Sequence, residues 1–212
     1  MSTRNAKLMN KERIKHIFIQ IKNIIIAPSK EWGLLISSDK FNANHCIKDL
    51  VFPLWLLAII VNLIGYLFYS LIVRSFSVIY ALLKTFETGL ICIIPFVITL
   101  ILINKIKKKI KINISLSALF CLLAYSSSLF WSANIIIGFF PGYPTLDSFI
   151  VFLSTYGVYI FYIGASKIKV GEPINIVFLT ILVFFLYILF YSITKWSISY
   201  PLKVYYYYQF FK

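Results

Sequence analysis

The chain has 212 residues, 60% of them hydrophobic and 13% charged, with a formal net charge of +14. Soluble domains are about 45–50% apolar and about 25% charged, so this composition argues against a water-soluble globular domain and for side chains buried in lipid and in helix–helix contacts. The lysines sit mostly at the ends of apolar runs, which is the pattern of membrane topology and not of a nucleic-acid-binding stripe.

Residues 1–10 read as a polar tip, and the opening MSTRNAKLMNKERIK lacks the apolar core of a secretory signal. Residues 11–27 carry Ile14, Ile17, Phe18, Ile21, Ile24 and Ile25 at helical spacing, with Lys11, Lys15, Gln20, Lys22 and Asn23 on much of the other face. Two placements fit this basic amphipathic helix. It lies on anionic lipid of the cytoplasmic leaflet through Lys11, Arg13, Lys15 and Lys22, or it packs on the membrane bundle through the same isoleucines; periodicity does not separate them. Pro28 ends the helix, Ser29 can cap a second short one, and Trp32 suits the lipid interface. Residues 38–49 are polar and read as the last cytoplasmic loop.

Five apolar spans are expected, at about residues 50–73, 87–104, 114–139, 148–166 and 174–195. The first, 24 residues long, would extend about 36 Å, enough to cross with tilt. Residues 74–85 form an outer connection, with SVIYALLKTF as an interfacial helix, and Glu87 then sits at a span end in a capping or interfacial role. Pro95 is expected to kink the second span. Between the second and third spans lies NKIKKKIKIN, with five lysines at 105–111. Each would cost about 3 kcal/mol at a bilayer centre, so the knot stays in water on the cytoplasmic side. Gly171, Glu172 and Pro173 mark a turn and a helix start. The domains are therefore a cytoplasmic head (1–49), a five-span membrane domain (50–196) and an aromatic outer tail (197–212) resting at the opposite interface. With the N-terminus inside, inner segments hold 16 of the 21 Lys/Arg and outer segments 5. That asymmetry sets the N-terminus in the cytoplasm and the C-terminus outside. The fold class is all-α and polytopic.

No catalytic set is visible. His16 and His45 are both in the head, and Cys46, Cys92 and Cys121 show neither metal-ligand nor disulfide spacing. No cofactor, metal or nucleic acid is expected. The expected partners are the lipid bilayer, anionic lipids and other membrane proteins. The polar set at mid-membrane is Tyr125, Ser126, Ser127 and Ser128 on the third span with Tyr156, Tyr159 and Tyr162 on the fourth. Gly157 and Gly164, two turns apart, allow close helix approach. Interhelical hydroxyl bonds of about 0.6 kcal/mol are routine in bundles, so structural glue is the first reading and a binding cluster the second.

Three segments, in order and spacing, resemble the Yip-domain (Ypt-interacting) membrane proteins, in particular their bacterial type. They are Pro28-Ser29-Lys30-Glu31-Trp32, Ala124-Tyr125-Ser126-Ser127-Ser128, and Tyr156-Gly157-Val158-Tyr159-Ile160-Phe161-Tyr162-Ile163-Gly164. Where the family often places a proline soon after Tyr-Ser-Ser, Leu129, Phe130 and Trp131 follow here. The resemblance implies five membrane helices with a cytoplasmic N-terminus. In eukaryotic members it also implies small-GTPase partners and membrane shaping; GTPase binding is not carried over. The expected function is a non-enzymatic integral protein of the cell membrane (the inner membrane of a bacterium) in membrane organisation or partner recruitment. The alternative is a small permease or lipid-handling protein using the Ser/Tyr cluster.

Overall fold

A computed structural model describes residues 17–39, 41–73, 78–141 and 144–210. Among these residues the chain is helical apart from short turns, with no strand. The elements are α1 (Ile17–Ile26), α2 (Pro28–Ile36), α3 (Ala43–Cys46), a π-helical turn (Ile47–Val51), α4 (Phe52–Val73), α5 (Val78–Ile106), α6 (Leu116–Phe139), α7 (Pro144–Ile168) and α8 (Pro173–Phe210). Four stretches are long and apolar enough to cross a membrane: Ala43–Tyr69, Val78–Ile106, Leu116–Phe139 and Pro173–Pro201. The shorter α1 is apolar as well.

The helices that form are longer than the hydropathy minima suggest. Residues 43–49, expected in a polar loop, are helical and run straight through the π-helical turn into α4; Asn42 caps α3 by accepting from the His45 N–H at 3.0 Å. The interfacial helix expected before the second span is the start of α5, a single helix of 29 residues. The tail expected beyond residue 196 continues α8 to Phe210, through Pro201. A helix closes its own backbone hydrogen bonds, so scattered lysines, glutamates or serines do not end it. The ends that do occur have local causes. Ser115 accepts from the Ala118 N–H, Pro173 occupies the first turn of α8, and Lys111 (φ 55°) and Lys169 (φ 57°) turn left-handed where the chain reverses.

α6 is the central element, most of its length buried, with α4, α5 and α7 packed on it; α8 packs on α5 and α7. α6 runs unbroken through Leu129, Phe130 and Trp131. The lysine knot forms the turn between α5 and α6, where the Lys107 ammonium donates to the Ile114 carbonyl at 2.6 Å. The Asn113 N–H donates to the Val170 carbonyl at 2.8 Å, so this turn and the turn between α7 and α8 lie at the same end of the bundle. At the other end α4 and α6 come into backbone contact: a Cβ on Gly65 would sit 1.6 Å from the Gly138 oxygen, and one on Gly138 would strike Asn62. Small residues of this kind let membrane helices approach closely. Pro95 lies buried inside α5; the Trp131 indole N–H donates to the nearby Cys92 carbonyl at 3.2 Å and its ring packs on Phe96.

Candidate functional site

The three segments singled out in the sequence meet in one place, where α2 docks into the groove between α6 and α7. Trp32, expected at the lipid interface, is fully buried (0% exposed). Its indole N–H donates to the Ile160 carbonyl at 2.9 Å, and its ring stands edge-on to Tyr125 (5.5 Å) and Phe41 (6.1 Å). Gly164 makes room for it, since a Cβ there would meet Trp32 and Leu122 at 2.5–2.7 Å. Gly157 does the same for the Ser126 carbonyl, which would lie 2.6 Å from a Cβ. Ile160 is eight residues from the Ile168 end of α7, or about 12 Å along the helix. The second head helix is therefore seated well up the side of the bundle.

The first head helix turns its isoleucines the same way. Ile17, Ile21 and Ile24 are buried, while Phe18, Ile19, Lys22 and Ile26 are exposed. The Tyr156 hydroxyl donates to the Ile25 carbonyl at 2.8 Å, and Pro28 is buried. Lys11, Arg13 and Lys15, the other expected lipid contacts, lie outside the described residues, as do the tip at 1–10 and Arg74.

The serines and tyrosines of α6 and α7 do not assemble into one polar cluster. Ser126 donates to the Leu122 and Leu123 carbonyls and Ser128 to the Tyr125 carbonyl, all within α6. Tyr159 is exposed, with its ring 5.5 Å from that of Tyr156. Tyr162 is half-buried and its carbonyl accepts from Ser166 at 2.8 Å. Ser126, Ser127 and Gly157 line a cavity of about 60 Å³ between α6, α7 and α8, otherwise walled by Phe130, Phe161 and Tyr187. That is well below the roughly 150 Å³ that admits benzene in an engineered core, so it is not a solute chamber.

The large cavity lies at the other end of the bundle, between α4, α5, α6 and α8, with a volume of about 670 Å³. This falls within the range of roughly 300–1,000 Å³ typical of ligand pockets. Its walls carry Asn62, Lys84, Glu87, Asn134, Lys195 and Ser199. Glu87, expected at a span end, is buried inside α5, nine residues from the start of that helix. It accepts from the Lys84 ammonium at 2.6 Å, one turn away, and from the Ser199 hydroxyl across on α8. Lys195 lies one turn before Ser199, with its ammonium 3.4 Å from the Tyr191 hydroxyl and over the Tyr191 ring. Asn62 is buried and donates to the Ala58 and Asn134 carbonyls at 2.8 and 3.1 Å, holding α4 to α6 beside the glycine crossing. The rim is aromatic: Trp196 and Tyr200 stack at 5.7 Å and are both exposed.

No family model, curated protein or solved structure matches the chain. The lining of the large cavity does not stand out as a group in the sequence. The available signal was spacing: Lys84, Glu87, Thr88 and Ile91 share one face of a helix, as do Tyr191, Lys195 and Ser199. Reading Glu87 and Lys195 as ends of spans hid that pattern.

Proposed function

We propose that the chain is a five-span integral protein of the cell membrane, the inner membrane in a bacterium, that binds a polar ligand within its helix bundle and performs no chemistry on it. The N-terminus is cytoplasmic and the C-terminus is outside. The fifth span is α7, a helix of 25 residues, or about 37 Å long. The hydrogen bond from Asn113 to Val170 supports this count: α6 and α8 both start at the lysine-knot end, so α7 has to run back across the bundle between them. The orientation rests on the 16-to-5 division of lysine and arginine.

The observation that carries the reading is the polar cavity with its buried Glu87 paired to the half-buried Lys84. Ionisable groups within membrane-spanning helices are expensive and mark functional paths or sites. The test is native mass spectrometry of the full chain released from membranes, comparing wild type with Thr88→Trp, which fills the cavity. A bound mass present on wild type and lost from Thr88→Trp is expected. Wild type carrying none, or both proteins carrying the same one, overturns the reading.

A second reading, membrane organisation or shaping of the Yip-domain type, is supported by the convergence of the three resembling segments on Trp32, Tyr125 and Gly164. Full-length protein reconstituted into anionic vesicles would then change their shape under electron microscopy, and Lys22→Gln with Lys30→Gln would weaken the effect. Vesicles of unchanged shape remove this reading.

A further inference from the structure

The wall of the large cavity has spent most of its hydrogens and kept its lone pairs. Asn62, only 2% exposed, sets its Nδ2 between two carbonyls, that of Ala58 at 2.8 Å and that of Asn134 at 3.1 Å. Only the NH₂ end of an amide can lie between two acceptors, so its orientation is fixed and Oδ1 is left as an acceptor. Asn134 does the same through Nδ2, which donates to the Phe130 carbonyl at 2.8 Å. Among the described residues nothing donates to either Oδ1. The Thr88 hydroxyl gives its hydrogen to the Lys84 carbonyl at 3.0 Å, and the Ser199 hydroxyl gives its own to Glu87. Both therefore keep acceptor capacity alone. The ammonium groups are engaged as well, Lys84 on Glu87 at 2.6 Å and Lys195 on Tyr191.

This accounting selects the ligand. Buried acceptors without a donor are costly, and a ligand bearing several O–H groups removes that cost. Charge narrows the choice. The ionisable walls are Lys84, Lys195 and Glu87, which already sum to one positive charge and so repel a cation. An anion meets oxygen lone pairs turned towards it and ammonium groups that already have partners. The complementary molecule is therefore neutral. The rim adds flat surfaces: Trp196 and Tyr200 stack at 5.7 Å and are exposed, and the negative face of an aromatic ring attracts C–H groups. A ring polyol combines outward hydroxyl hydrogens, C–H faces and no charge, and a cavity of about 670 Å³ has room for one.

We infer that this cavity binds a neutral ring polyol, a free sugar or the sugar headgroup of a lipid, whose hydroxyls donate to Asn62 Oδ1 and Asn134 Oδ1. The inference rests on the cavity being a ligand site, as proposed above. The test uses full-length protein in an amine-oxide detergent and a buffer free of hydroxyl groups, with thermal stabilisation titrated against five probes. They are methyl glucoside, its fully O-methylated ether, short-chain glucosyl diacylglycerol, glycerol phosphate and tetramethylammonium. Methyl glucoside or the glucosyl lipid is expected to stabilise the protein, and the ether, which has no O–H, is not. Stabilisation by the lipid alone assigns the ligand to a headgroup, and equal stabilisation by both assigns it to the free sugar; either supports the inference. Asn134→Leu should weaken binding about fivefold, the worth of one neutral hydrogen bond. Ser192→Ala breaks no bond within the protein and removes an exposed hydroxyl of the wall; it should weaken binding at least about twofold. Thr155→Ala, on α7 and outside the cavity, leaves binding unchanged. Binding equal to wild type in both Asn134→Leu and Ser192→Ala overturns the assignment. The ether binding as tightly as methyl glucoside overturns the need for donors, and either ion binding as tightly overturns neutrality. No stabilisation by any probe overturns the inference, while the cavity reading stands if wild type still carries a bound mass that Thr88→Trp loses.

Discussion

Replacing Trp32 by alanine tests whether the head is a working part of the bundle. In a soluble core such a truncation costs about 3–5 kcal/mol. Part of that is transfer from water, which does not apply where lipid tails are as apolar as the pocket. What remains here is specific. Two edge-on aromatic contacts, to Tyr125 and Phe41, are worth about 0.5–1.5 kcal/mol each. The indole bond to the Ile160 carbonyl adds about 1 kcal/mol. The sum is about 2–4 kcal/mol, so the docked fraction of α2 relative to the undocked falls by about 30-fold or more. The assay is maleimide labelling of a single cysteine at Leu35, which is buried in the docked state, on full-length protein in detergent. Labelling should rise by that factor in Trp32→Ala and stay at the wild-type level in Trp196→Ala, whose side chain is 70% exposed. Equal labelling of wild type and Trp32→Ala would refute the docked head and return α2 to the lipid surface.

Two further outcomes follow from the packing. Gly138→Leu should push α4 away from α6, because even a Cβ there lies 2.8 Å from Asn62 Nδ2; loss of at least about 3 kcal/mol of stability in detergent unfolding is expected, and a variant as stable as wild type contradicts the crossing. The thiols of Cys46 and Cys121 are buried and 2.6 Å apart, so a mild oxidant should join them in unfolding-sensitive fashion while Cys92 stays free. Peptide mass mapping that finds no Cys46–Cys121 link would separate α3 from α6.

The parts of this fold written in charge and hydropathy were legible. The lysine knot falls in the α5–α6 turn, Pro173 opens α8, and residues 114–139 match α6 to within two residues at its start. Gly157 was legible as a point of close approach because a glycine in an apolar helix has few other uses. The cavity lining is less legible. In sequence Lys84 falls in the outer connection and Glu87 and Lys195 at ends of spans, since hydropathy treats polarity as an exit from the membrane; in the structure each lies within a long helix and lines the same cavity. A polar residue facing an internal chamber and one facing water look alike in a one-dimensional profile. Trp32 failed in the converse way. Tryptophan is at home both at an interface and in a pocket, and only its partner Gly164, 132 residues away, decides between them.

The central claim is that the lysine knot and the large cavity lie at opposite faces of the membrane. It is tested most directly by membrane-impermeant maleimide labelling of single cysteines at Lys108 and Tyr200, both exposed, in intact cells and in inverted vesicles. The account predicts that Tyr200→Cys reacts in intact cells and Lys108→Cys only in inverted vesicles. Reaction of both from the same side would contradict it.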